Sequence, residues 1–112
     1  MDYDSDASDL TMKQDTESPI EVADPFARRL LNQYLQRRKS DLARLRSALS
    51  ENDFASIQLT GHNLFGSGAA YGLEEVSALG AKLEQAAKSQ QTAQVSDLID
   101  ELERFVTRVT VT

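Results

Sequence analysis

The chain of 112 residues has no cysteine and no tryptophan, only two prolines, and a single histidine, His62. Without cysteine there are no disulfides, thiolate zinc sites or sulfur nucleophiles, and a reducing compartment is compatible. No apolar run approaches the roughly 20 residues that span a bilayer. The N-terminus also lacks the charged-then-apolar pattern of a signal peptide. A cytoplasmic protein that does not enter membranes is expected. Both prolines, Pro19 and Pro25, precede the periodic part of the sequence. No stretch after them alternates apolar and polar residues for long enough to make a strand.

The net charge of −6 is concentrated at one end. Residues 1–18 carry Asp2, Asp4, Asp6, Asp9, Asp15 and Glu17 against Lys13 alone, while the other 94 residues hold 12 acidic and 11 basic side chains. A segment so polar cannot bury enough apolar surface to offset its ordering entropy. Residues 1–22 are therefore expected to be a disordered acidic tail, and residues 23–112 one folded domain. Within that domain Arg28, Arg29, Arg37, Arg38, Lys39, Arg44 and Arg46 face only Asp41 between residues 25 and 49. Such a run reads either as a solvated helix face or as a basic surface for an acidic protein partner. Few aromatic residues and no recognised nucleic-acid motif accompany it, so nucleic acid is not expected as a partner.

Four helices follow from periodicity and punctuation. Asp24 before Pro25 predicts a helix start, an N-cap acceptor followed by proline at the first helical position. Leu31, Leu35, Leu42, Leu45 and Leu49 then recur at helical spacing, widened by Phe26, Leu30 and Tyr34, in a long helix that could kink near Lys39. "SEND" at 50–53 supplies turn and cap residues, and a second helix is predicted from Phe54 to about Ala70, stopped by Gly72. A third turns Leu73, Val76, Leu79, Leu83 and Ala87 inward, with Glu74 and Glu75 in its first turn and Lys82 and Lys88 towards its end. The last places Val95, Leu98, Ile99, Leu102, Phe105, Val106 and Val109 on one stripe. Short polar connections make such helices antiparallel neighbours. The predicted fold is all-α, an up-down-up-down four-helix bundle, and a monomer because no apolar seam is left over.

His62 points away from that core. Advancing about 100° per residue from His62, Ile57, Leu64, Gly68, Gly61 and Phe54 fall between about 200° and 280°. Ala55, Leu59, Gly66 and Ala69 cluster instead around the histidine, with Gln58 and Phe65 at the margins. A glycine inside a helix costs about 0.5–1 kcal/mol relative to alanine. Gly66 is accounted for if another protein must approach the imidazole closely, with Leu59 and Phe65 as apolar docking contacts.

The chemistry open to this imidazole is narrow. Near neutral pH an ordinary histidine offers a free nitrogen lone pair, so it can act as a nucleophile. A convex helix face offers no substrate pocket for general acid/base catalysis. A metal site would need further ligands that the helical neighbours of His62 do not supply. "GSGAAYG" resembles a phosphate-cradling loop but lacks the lysine and the preceding strand that a P-loop needs. Covalent phosphoryl carriage, with a partner bringing the catalytic machinery, remains.

The stretch "GHNLFGSGAAYGLEEVSALGAKLEQAA" resembles the histidine-containing phosphotransfer domains of bacterial multistep phosphorelays. Their motif is a histidine, three residues, Gly-Ser with a small residue, and a glycine that ends the helix. His62, Gly66, Ser67, Gly68 and Gly72 match it. The resemblance implies that His62 takes a phosphoryl group from a receiver-domain aspartate and passes it to another. Mg²⁺ and the acidic catalytic residues belong to the receiver, and the carrier needs no cofactor and hydrolyses no ATP. Receiver domains, and a hybrid sensor histidine kinase, are the implied partners, with Arg37 and Arg38 as candidate complements to an acidic receiver surface.

One position departs from the pattern. The family commonly carries lysine three residues after the histidine, and this chain has Phe65. Either an arginine of the first helix supplies the missing charge, or phosphohistidine forms less readily, or the phenyl ring selects a receiver by apolar contact. The alternative reading is a degenerate module that binds a receiver or kinase without being phosphorylated. An unrelated helical interaction module would bind no receiver.

Overall fold

The computed structural model describes residues 24–109. The expected acidic tail, residues 1–22, lies outside the described residues, as do residue 23 and residues 110–112 at the ends of the expected domain.

Four helices follow one another: α1 (Pro25–Ser50), α2 (Phe54–Ala70), α3 (Glu74–Lys88) and α4 (Thr92–Arg108). Asp24 caps α1 by accepting the Phe26 N–H at 3.0 Å, with Pro25 in the first turn. Asp53 caps α2 in the same way, accepting from the backbone N–H and the hydroxyl of Ser56. Those hydrogen bonds hold the Asp53 carboxyl below its ordinary pKa. α1 runs through Lys39 as unbroken α-helix.

The three connections share one geometry. In each, a central residue takes a left-handed conformation: Asn52 (φ 57°), Gly72 (φ 72°) and Gln90 (φ 53°). The next amide then reaches back five residues, Asp53 to Ala48 O and Leu73 to Gly68 O at 2.8 Å, and Gln91 to Ala86 O at 2.9 Å. This closes the orphan carbonyls of each helix end and reverses the chain within three residues. α1 packs on α2 and α4, and α3 on α2 and α4, giving the predicted antiparallel ring.

Each helix sends a stripe to the centre. Leu45, Ile57, Leu64, Val76, Leu83, Val95, Ile99 and Leu102 are the largest fully buried side chains. Burial of each is worth about 1.5–3 kcal/mol relative to exposure. The α4 stripe from Val95 to Val109 is buried as its spacing implies, while Leu49 and Phe54 are partly buried against the core. Phe26 and Leu30 are exceptions to the predicted α1 stripe, being 63% and 38% exposed. Tyr34 already meets Ser67 near the end of α2, so the first turns of α1 extend past the helix that would have covered them.

The α2–α3 pair is set by glycine. A β-carbon on Gly61 would lie 2.7 Å from Glu84 N and from Gly80 O, and one on Gly80 would lie 2.5 Å from Phe65 N. Further along, a β-carbon on Gly68 would lie 2.5 Å from Ser77 N. The two backbones therefore touch, and the register between them is fixed to within one residue.

Three of the α1 arginines are paired with acids of the bundle. Asp41, the buried acid of α1, pairs with Arg38 Nε at 2.9 Å and with Arg44 at 2.5 Å. Arg38 also lies over the Tyr34 ring, 4.0 Å from its centroid. Arg46 bridges to Asp100 and Glu103 of α4, which raise its pKa further.

Candidate functional site

α2 turns Ile57, Gly61, Leu64 and Gly68 to the core, so a residue one position after Gly61 must face outward. His62 does so, with 64% of its side chain exposed. Around it Ala55, Gly66 and Ala69 are exposed, as are Leu59 (62%) and Phe65 (48%), and Gln58 is half-buried. The six residues expected to form a docking face thus share one surface with the histidine. α2 itself contributes no formal charge to that surface, since it contains no acidic or basic residue other than His62.

Gly66 differs from the glycines of the α2–α3 contact. A β-carbon there would meet nothing within 4 Å. The packing of the bundle does not require a glycine at this position. Ser67 and Gly68 are structural: the Ser67 hydroxyl pairs with Tyr34 OH at 2.8 Å, and Gly68 admits the α3 backbone. Tyr34 stacks in turn on Tyr71, ring centroids 4.3 Å apart, so one chain of contacts ties α1 to the end of α2. Gly72 supplies the left-handed turn.

A carboxylate comes to the histidine from α3. Both oxygens of Glu84 lie 3.4 Å from His62 Nδ1, long for a hydrogen bond but within ion-pair range. The closeness of Gly61 to Glu84 N delivers this side chain to the imidazole. Helical spacing within α2 supplies no acid beside His62, and the sequence reading did not find Glu84. The available signal was the tight turn at 71–73, which folds α3 back along α2. An acid that engages Nδ1–H favours the tautomer whose Nε2 carries the free lone pair.

The candidate basic residues sit elsewhere. Arg38 is held by Asp41 and Tyr34 with its side chain only 12% exposed, in a groove between α1 and α2 that Leu59, Asn63 and Ser67 also line. Arg37 is exposed on a surface formed by α1 alone, beside Gln33 and Gln36. His62 meets Glu84, and among the described residues neither arginine pairs with it. Among the described residues no group of three or more His, Asp or Glu side chains could hold a metal ion. Nor is any described helix long and apolar enough to cross a membrane.

No curated protein and no solved structure matches this chain. The Hpt domain matches it over residues 29–111, which takes in all four helices but the first turn of α1. An exposed histidine on a four-helix bundle agrees with that match, and the chain belongs to the Hpt domain family, phosphocarrier modules that act with receiver domains and kinases in two-component phosphorelays.

Proposed function

We propose that His62 is the phosphoacceptor of a relay intermediate, taking a phosphoryl group from the aspartate of one receiver domain and passing it to the aspartate of another. The observation that carries this reading is the solitary, exposed imidazole with Glu84 at its Nδ1. In the forward step the Nε2 lone pair attacks phosphorus, the Nε2–P bond forms, and the bond to the receiver's aspartyl oxygen breaks to release a carboxylate. No proton must leave Nε2, and the positive charge gained by the ring is met by Glu84. The return step reverses each change.

Such a transfer is mostly positioning and electrostatic stabilisation. Mg²⁺ and the acidic residues that hold it are the receiver's contribution, and the bundle itself acts without a cofactor, as a carrier and not a catalyst. The docking face is Ala55, Gln58, Leu59, Phe65, Gly66 and Ala69. Leu59 and Phe65 supply apolar contact area, and the exposed α1 cations a weaker long-range attraction for an acidic receiver. The protein acts as a cytoplasmic monomer.

The test is phosphoryl transfer from a panel of phosphorylated receiver domains with Mg²⁺, comparing wild type with His62→Gln. Acid-labile label on wild type and none on the variant is the expected result. Stable binding to a receiver without label would favour instead the degenerate binding module, for which Phe65 is the supporting residue.

A further inference from the structure

The reading of His62 as phosphoacceptor places a doubly negative group over a helix that has no lysine or arginine among its 17 residues. α3 offers a cation from one position. Advancing about 100° per residue from Glu84, the α3 residues Ser77, Gly80, Ala81 and Lys88 fall within about 60° of it, whereas Lys82 falls about 160° away. Successive members of this stripe are fixed to successive levels of α2. The Ser77 hydroxyl donates to Phe65 O at 2.8 Å, Gly80 lies against Phe65 N and Gly61 O, and Glu84 meets His62.

The antiparallel course of α3 then puts Lys88 one turn beyond Glu84, level with Gln58 and the turn of α2 that precedes His62. Lys88 is exposed. It has no ion pair among the described residues, and Glu84, its neighbour four positions earlier, is directed to the imidazole.

We infer that Lys88 is the cation that attends the phosphoryl group on His62, a task for which Phe65, the α2 residue nearest in register on the other side, has no charge. The inference rests on the phosphoacceptor reading above. A lysine ammonium is a compact charge on a flexible stem, suited to follow a group that arrives and leaves. Its attraction for the phosphoryl oxygens grows as the Nε2–P bond forms, so it favours the transferring state over the free carrier.

Phosphoramidate tests this without a receiver. Its N–P bond breaks with loss of ammonia as the Nε2–P bond forms, and labelling of His62 is followed in wild type, His62→Gln, Lys88→Gln, Lys88→Arg and Lys82→Gln. At low salt Lys88→Gln is expected to be labelled about five-fold more slowly, Lys88→Arg to stay within about two-fold of wild type, and Lys82→Gln to be unchanged. The deficit closes towards 1 M salt, where the Debye length is about 3 Å, and Phe65→Lys restores the rate in the Lys88→Gln background. A wild-type rate in Lys88→Gln, an equal deficit in Lys82→Gln, or a deficit indifferent to salt would each overturn the role of Lys88. Wild type that takes no more label than His62→Gln would overturn the phosphoacceptor reading itself, and this inference with it.

Discussion

Glu84 of α3 holds both carboxylate oxygens 3.4 Å from Nδ1 of His62 on α2. The pair spans the close backbone contact between α2 and α3, which brings the Glu84 side chain to the imidazole. Glu84→Ala is expected to slow acceptance of phosphoryl by about three- to ten-fold while leaving the fold intact, an exposed charged contact being worth about 1 kcal/mol. Glu84→Gln, which keeps an acceptor oxygen, falls between. Labelling rates beside urea denaturation curves check this, and a loss of stability matching the loss of rate would count against a positioning role.

Gly66 and Gly61 predict opposite responses to the same substitution. Gly66→Ala fills open space and gains helix propensity, so stability rises by about 0.5–1 kcal/mol while receiver-dependent transfer falls. Gly61→Ala drives a methyl group into the α3 backbone and costs about 1–3 kcal/mol. Denaturant midpoints of the two variants decide it. Transfer unimpaired in Gly66→Ala would remove the reason offered for that glycine.

Gln90 sits at φ 53° in the α3–α4 turn, where its equivalent before α3 is Gly72. A left-handed conformation costs a non-glycine residue about 1–2 kcal/mol, and part of that gain is returned by the greater freedom of glycine in the unfolded chain. Gln90→Gly is therefore expected to stabilise by about 0.5–1 kcal/mol. Thermal or urea unfolding measures it.

Asp41→Ala leaves Arg38 over Tyr34, largely buried and without its carboxylate. Removing one partner of such a pair exposes the desolvation cost of the other, about 1–3 kcal/mol here. Replacing both, Arg38→Met with Asp41→Leu, is expected to recover most of that loss. A cycle of the two singles and the double separates the pair from its surroundings.

Helix existence and the outward direction of His62 were legible in the sequence because both are local. Asp24–Pro25, "SEND" and Gly72 mark ends, and the apolar positions of a 17-residue helix define its inner face whatever it packs against. Glu84 was not legible from spacing within α2. Its position depends on the register between two helices, which Gly61, Gly68 and Gly80 fix by backbone contact. Phe26 and Leu30 failed for a related reason, since periodicity records which face is apolar but not how far the covering helix extends. The pairing of Arg38 and Arg44 with Asp41 also escaped, although residues three apart on a helix are neighbours. Counting seven cations against one acid obscured that the one acid engages two of them.

A single exposed imidazole, anchored through one nitrogen, has a consequence for traffic through the carrier. On the proposed reading of His62 as phosphoacceptor, donor and acceptor receivers must use the same nitrogen on the same convex face, so two cannot be served at once. The first must leave before the second arrives. Throughput is then governed by how quickly spent partners dissociate, and a receiver that grips this face too firmly, phosphorylated or not, becomes an obstruction to every other user of the relay.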